Sequence, residues 1–365
     1  MDSFRESINK TDTEINDSTF QFEQGWQMQL IWSFIFGSMI LISILGNVII
    51  ISIIASHHSM RTVTNYFFLN LTIADLLSAT LNATFNYIFM LSGDWPFGHI
   101  YCVVNNFMAN LLVAVSVFTI TAISVDRYIA IVYPLKPHIT KRNAVTQILI
   151  VWLLAILVAM PCLVFGNTLT ITYDNNKSRT ICLLEWPDGL SGQSKLDFIY
   201  NITFLLMTYI VPVSTMAIAY SLMARVLWGS QEIGEGGANS SQRLLIQSKQ
   251  KVVRMLICVV SVFAICWLPY HSYFLLTYQW PQLIVTQYIQ HIYLAIYWLA
   301  MSNAMFDPII LLLMNKRFRR YSTNYLLLIC GNKRQINLDY GTNSGLRDKQ
   351  TIKSRNKVNI NVENL

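Results

Sequence analysis

Asp126, Arg127 and Tyr128 stand together at the end of an apolar stretch that begins near Cys102 and carries no other charge. An arginine at the rim of an apolar span is costly unless a carboxylate or water holds its head, and Asp126 is the adjacent holder. The chemistry this offers is exchange of ion-pair partners: the guanidinium pairs with a carboxylate in one state and is freed for another partner in a second. An ordinary surface ion pair is the plainer reading of the same triplet. Two further acids, Asp75 and Asp307, lie deep within apolar runs, where a carboxyl points into a bundle and often holds a cation or a proton. Asp75, Ser116, Asn303 and Asp307 read either as a sodium or water site or as a structural hydrogen-bond network. No nucleophile with a base and no metal cluster accompanies them, and His57-His58 beside the first run supplies neither, so an enzyme is not expected. No cofactor is expected beyond that sodium ion.

The elements that must position these groups are apolar helices. The chain has 365 residues, 54% hydrophobic and only 12% charged, against about 25% charged in soluble domains. Seven apolar runs recur, near 30–55, 66–91, 101–125, 144–166, 198–224, 252–278 and 286–314. Each can cross a bilayer as a helix, so the expected fold is an all-α membrane protein with a seven-helix bundle over 30–314. No cleavable signal peptide is read in the polar tail 1–29, and the first run is expected to stay as an anchor. Arg5, Lys10, Lys177, Arg179 and Lys195 fall on one side of the membrane and the other 21 of 26 basic residues on the opposite side or its helix ends. By the positive-inside rule the N-terminus is outside and the C-terminus cytoplasmic. The net charge of +7 therefore belongs to the cytosolic face rather than to a nucleic-acid surface. Of six cysteines, Cys102 and Cys182 share the outer side, where disulfides persist, and are the expected pair. Cys162, Cys258 and Cys266 read as small packing residues.

Asn9 and Asn16 head glycosylation sequons in the outer tail, and Asn176 heads one in an outer loop; Asn70 and Asn82 match the pattern by chance inside a span. That tail carries Asp2, Glu6, Asp12, Glu14, Asp17 and Glu23 against Arg5 and Lys10. Asn82 and Asn86 follow Asp75 on one helical face and read as the wall of a polar cavity. Pro161 marks a kink or helix end in the fourth run, the fifth run holds Pro212 and Tyr220, and residues 229–247 read as a flexible polar loop. In the sixth run Pro269 kinks a helix whose Trp267, Tyr270, His271, Phe274 and Tyr278 form one stripe. Packing or an interface belt is the common meaning of such a stripe, but an imidazole facing lipid would be costly, so His271 turns it toward the bundle. The seventh run adds Tyr293. A basic amphipathic helix at 315–330 follows, with Cys330 read as a palmitoylation site or a free thiol, and the tail 331–365 reads as disordered.

Taken together, Gly46-Asn47, Leu71 to Asp75, Asp126-Arg127-Tyr128, Trp152, Pro212, Cys266-Trp267-Leu268-Pro269 and Asp307-Pro308 resemble the pattern of rhodopsin-like G-protein-coupled receptors over residues 30 to 330. Phe263 to Leu276, Gln290 to Met301 and Leu183 to Pro187 look closer still to the tachykinin (neurokinin) receptors. The resemblance implies a plasma-membrane receptor for an extracellular, C-terminally amidated neuropeptide, acting on heterotrimeric G proteins by the Gq and calcium route, with arrestin, receptor kinases and membrane lipids as partners. It implies ligand contacts at Asn82, Asn86, Trp267, Tyr270, His271, Phe274 and Tyr293. The switch set that goes with it is Asp126, Arg127, Tyr128, Tyr220, Trp267, Pro269, Asp307 and Pro308, followed by the short helix 8. Amine receptors place an aspartate seven residues after the outer cysteine of the third helix, and Ala109 stands there here. The family's closing tyrosine after Asp307-Pro308-Ile309-Ile310 is replaced by Leu311. The alternatives are a receptor for another neuropeptide and, from a different class, a transporter, against which the chain shows no inverted repeat, matched half-helices or ring of pore charges.

Overall fold

The computed structural model describes residues 25–135, 139–172, 178–233, 240–280, 282–283 and 288–329. The sequons at Asn9, Asn16 and Asn176, Cys330 and the tail from 331 lie outside them. Helix α1 spans Trp26–Ser56, so it begins inside the segment read as tail. Helix α2 runs Val63–Leu77, passes through a wide π turn at Ser78–Ala83 and continues over Thr84–Ser92. Helix α3 is Gly98–Val132 and α4 is Lys141–Phe165. Helix α5 joins Lys195–Leu205, a second π turn Leu206–Ile210 and Val211–Ile233. Helices α6, Ser240–Gln279, α7, Ile289–Met314, and the short α8, Lys316–Ile329, complete the helical part. Six of these are long and apolar enough to cross a membrane. Helix α2 is the seventh of the bundle; its hydropathy is diluted by Asn70, Asp75 and Asn82, all of which are buried.

Local signals fix several ends. Thr62, Thr140 and Ser194 accept the backbone N–H three residues on and cap α2, α4 and α5. Gly93 closes α2 with φ +70°, a left-handed cap that suits glycine. Of the two readings of Pro161, the helix end is excluded: it lies inside α4, which continues to Phe165. One expectation changes. The stretch read as a flexible loop at 229–247 is helical at both ends, to Ile233 and from Ser240, with 234–239 outside the described residues.

The loop between α4 and α5 was not legible as sheet. It folds into three antiparallel strands, β1 at Gly166–Thr172, β2 at Ser178–Trp186 and β3 at Gly189–Leu190. β1 and β2 pair Thr168 opposite Cys182. The expected disulfide joins Cys102, near the start of α3, to Cys182 in β2. The hairpin is also held to the α2–α3 turn, since Trp95 N–H donates to the Thr180 carbonyl at 2.8 Å and the Arg179 guanidinium reaches the Gly93 carbonyl. We refer to this end of the bundle as the disulfide end and to the other as the triplet end.

Polar groups inside the bundle bind helices together. Trp152 Nε1 donates to Asn70 Oδ1 at 2.8 Å, and Asn70 Nδ2 donates to Thr119 at 2.8 Å, joining α2, α3 and α4. Pro308 has no N–H for the carbonyl four residues back, that of Ala304. From α1, Asn47 Nδ2 and Ser43 Oγ each donate to that oxygen at 3.0 Å. Gly46 makes the approach feasible, because a Cβ there would lie 2.8 Å from Pro308 Cγ.

Gly46→Ala forces that contact apart and is expected to cost about 1–3 kcal/mol, read as a lower melting temperature of the detergent-purified protein. Cys102→Ala opens the cross-link over 80 residues of sequence. It is expected to destabilise by about 2–4 kcal/mol, and reduced cell-surface yield against a matched expression control checks it.

Candidate functional site

A cavity of about 270 Å3 opens at the disulfide end between α2, α3, α5, α6, α7 and β2. Helix α6 supplies Trp267, Tyr270, His271 and Phe274 to its wall, so the stripe faces inward. Tyr278, at the far end of the same stripe, instead stacks on Phe198 of α5 at 4.2 Å between ring centroids. His271 is buried among Tyr209, Phe204 and Trp267, and its Nε2 has no hydrogen-bond partner. Tyr270 meets Phe274 edge-on, and Phe274 meets Tyr293 of α7 in the same way, giving a continuous aromatic wall.

The opposite side is built of amides. Asn86 Nδ2 reaches both the carbonyl and side-chain oxygen of Asn82, and Asn105 Nδ2 of α3 donates to Asn86 Oδ1 at 3.1 Å. The π turn at Ser78–Ala83 alters the helical phase between Asp75 and these amides, yet all three still face the interior. Asn106 and Asn110 join them in the lining; Asn106 Nδ2 donates to Cys182 Sγ and Asn110 Nδ2 to Cys162 Sγ, both at 3.2 Å. Asn105, Asn106 and Asn110 were missed in the sequence, although Cys102, Asn106 and Asn110 repeat at the four-residue spacing of one helix face. Among the described residues, Asp197 is the one charged side chain in the lining. Its oxygens are taken by Trp186 Nε1 at 2.8 Å, Gly192 N–H at 2.9 Å and Ser191 Oγ at 3.1 Å. Above it, outside the spans, the Ser194 hydroxyl and then the backbone N–H groups of Leu196 and Lys195 hold the Asp188 carboxyl below the usual carboxylate range.

Beneath this cavity, Trp267 and Met301 also wall a small void of about 20 Å3 beside Asp75, Ser116 and Asn303. Ser116 Oγ donates to Asp75 Oδ1 at 3.1 Å and Asn303 Nδ2 to Asp307 Oδ2 at 3.2 Å. The carboxyls of Asp75 and Asp307 lie within hydrogen-bonding reach of one another. Among the described residues, Asp75 Oδ2, Asp307 Oδ1 and Asn303 Oδ1 are buried with no donor group facing them. The four residues grouped from sequence are thus one cluster, and paired buried carboxyls need positive charge between them, a shared proton or a small cation.

Nearer the triplet end, the Tyr220 hydroxyl bonds the Ser124 hydroxyl of α3, tying α5 to α3. Arg127 Nη2 lies 2.9 Å from Asp126 Oδ2 and also reaches the Thr64 hydroxyl of α2. Tyr128 turns away to meet Tyr133 edge-on. A cavity of about 240 Å3 opens there between Arg127, Ala130 and Ile131 of α3 and Lys249 and Val252 of α6. Pro269 lies inside α6, and Leu311, where the family tyrosine is absent, is wholly buried in the core.

Comparison with known proteins accords with this architecture. Residues 46–311 match the family described as 7 transmembrane receptor (rhodopsin family). The tachykinin-like peptides receptor 86C of Drosophila melanogaster is 50% identical over 330 residues, covering 89% of this chain and 65% of that protein. The neuromedin-K receptor of Homo sapiens is 42% identical over 302 residues, covering 82% of this chain and 62% of its own length. The substance-P receptor of Homo sapiens is 37% identical over 300 residues, covering 82% and 71%. The chain thus spans just under two thirds of the length of the first two relatives. With a match across the whole bundle and receptors alone among these relatives, the chain belongs to the rhodopsin family of seven-transmembrane receptors.

Proposed function

We propose that the chain is a receptor for an extracellular, C-terminally amidated peptide of tachykinin type, and that it passes agonist binding to a heterotrimeric G protein. The observation that carries this reading is the composition of the upper cavity. Among the described residues its wall offers aromatic faces from Tyr270, Phe274 and Tyr293, hydrogen-bonding amides from Asn82 and Asn86, the imidazole of His271, and no Lys or Arg. A peptide ending in a carboxylate would bury a charge without a partner and beside Asp197, whereas an amide end both donates and accepts. The names of the relatives, receptors for tachykinin-like peptides and substance P, support the ligand class. The Gq and calcium route, arrestin and receptor kinases follow from the same family resemblance.

In this reading the disulfide end is extracellular and the triplet end cytoplasmic, supported by the oxidised Cys102–Cys182 pair and the bias of Lys and Arg. Glycans on Asn9 and Asn16 and a palmitoyl group on Cys330 belong to the same orientation. Sodium fits the cluster of Asp75, Ser116, Asn303 and Asp307, since Asp75 and Asn303, each with an orphaned oxygen, border a small void and Asp307 carries a third such oxygen beside them. Bound there, the cation would supply the charge that lets both carboxyls stay ionised. Arg127 is the output element: released from Asp126 and Thr64, its head would be free for the G protein in the cavity beside Lys249.

A matched pair of peptides tests the ligand. The free-acid form is expected to activate roughly 100-fold less potently than the amide, and His271→Ala to lower amide potency about tenfold, read as calcium release at matched surface expression. Equal potency of acid and amide would reject the docking mode. For the output, Arg127→Ala is expected to abolish ligand-induced GTP loading of the G protein while peptide binding persists, and Asp126→Asn to raise basal loading. Normal loading by Arg127→Ala would remove it from the switch.

A further inference from the structure

Asn106 and Asn110 of α3 and Asn201 of α5 line one side of the upper cavity, and each turns its NH2 group back onto its own helix. Asn106 Nδ2 donates to the Cys102 carbonyl at 3.1 Å, Asn110 Nδ2 to the Asn106 carbonyl at 3.0 Å and Asn201 Nδ2 to the Asp197 carbonyl at 2.9 Å. A carbonyl oxygen can only accept, so in each amide the nitrogen lies on that side and the oxygen is the atom left over. Cysteine sulfurs hold the same orientation. Asn106 Nδ2 also donates to Cys182 Sγ, and Asn110 Nδ2 to Cys162 Sγ, which in turn meets the Tyr200 hydroxyl at 3.2 Å. Among the described residues no donor reaches the three Oδ1 atoms, and none of them is enclosed by protein. They open on the cavity as acceptors.

The wall formed by α2 is different. Asn86 Nδ2 is bonded to Asn82, Asn86 Oδ1 takes Asn105 Nδ2, and Asn82 Nδ2 rests on Met301 Sδ at 3.7 Å. The α2 amides are thus largely committed to protein partners, while the α3 and α5 side presents open oxygens. A peptide entering the cavity brings one N–H per residue that must find an acceptor once water is gone. Asn106 and Asn110 stand four residues apart, roughly 6 Å along the axis of α3. In an extended chain the N–H groups on one side recur at every second residue, about 6.7 Å apart. The two spacings agree. A helical end would direct its N–H groups onto itself and leave the asparagine oxygens unpaired.

Given the peptide-receptor reading above, on which this rests, we propose that Asn106 and Asn110 read the backbone of the ligand. They accept N–H groups two residues apart from a peptide end held extended along α3, and Asn201 takes a further donor from the α5 side. Selection then falls on backbone form as well as on side chains. Proline at either position is refused, because it brings no N–H to the waiting oxygen.

The test uses the full chain at the cell surface and the amidated peptide of the matched pair above, made with one backbone amide at a time replaced by an ester. Each ester removes an N–H and keeps the shape of the chain, and displacement of labelled parent peptide reads affinity. Roughly tenfold losses are expected at two positions two residues apart, with less than about a twofold change at the bond between them. Asn110→Leu removes one acceptor at nearly constant volume. It is expected to lower affinity for the parent peptide about tenfold and to erase the loss caused by one of the two esters while leaving that of the other. Asn106→Leu is expected to do the reverse, and Asn110→Ala serves as the second variant should Asn110→Leu not reach the surface. Equal losses at consecutive positions, or ester losses that survive both substitutions, would overturn the backbone track while leaving the comparison of acid with amide intact. A parent peptide that neither binds nor activates would instead remove the peptide-receptor reading, and the track with it.

Discussion

The carbonyl of Ala304 is the point on which the arrangement of the bundle turns. A proline in a membrane helix releases an oxygen that lipid cannot satisfy, so Pro308 requires donors from elsewhere. Asn47 and Ser43 supply them, and Gly46 removes the side chain that would keep α1 away. One backbone defect thereby fixes the distance, rotation and register of α1 against α7. It also sets the height of Asp307, which sits next to that proline and must face Asp75 across the bundle. Loss of both donors here would leave an orphaned acceptor in a medium that offers no replacement.

From that junction the polar interior continues as tiers. Amides at the disulfide end rest above Met301 and Trp267; the acid cluster lies below these two residues, and the Tyr220–Ser124 bond and Arg127 lie lower still. Trp267 and Met301 border both the upper cavity and the small void, so displacement of either changes the volume available on both sides. A thioether and an indole suit this place, since Met301 is deformable and the Trp267 Nε1 has no partner to anchor it.

Features that depend on near neighbours in sequence were readable without the structure. The Asp126–Arg127 pair and the apolar runs are of this kind, because helical period and local charge fix them. The disulfide was readable from topology alone. Features that depend on tertiary contact were not: the π turns in α2 and α5 carry neither Gly nor Pro, and Tyr278 stacks on Phe198 rather than joining the cavity wall. The hairpin sat between the two. Thr168, Thr170, Ile171, Thr172, Thr180 and Ile181 are β-branched, as strands favour, yet a short loop between long helices hides that signal. The donors Asn105, Asn106 and Asn110 were obscured because α3 was read for charge, and amides carry none.

The hairpin is pinned by the disulfide to α3, by Arg179 on Gly93 and by Thr180 on both Trp95 and Asp94. A roof held this way keeps the entrance to the cavity at fixed width instead of folding down on whatever arrives. The entropy lost on ordering must then fall on the incoming molecule, so flexible visitors are filtered at the threshold by what they surrender in freedom, before any contact deeper in the bundle is made. Residence would be governed in the same way, since departure retraces a passage that does not widen.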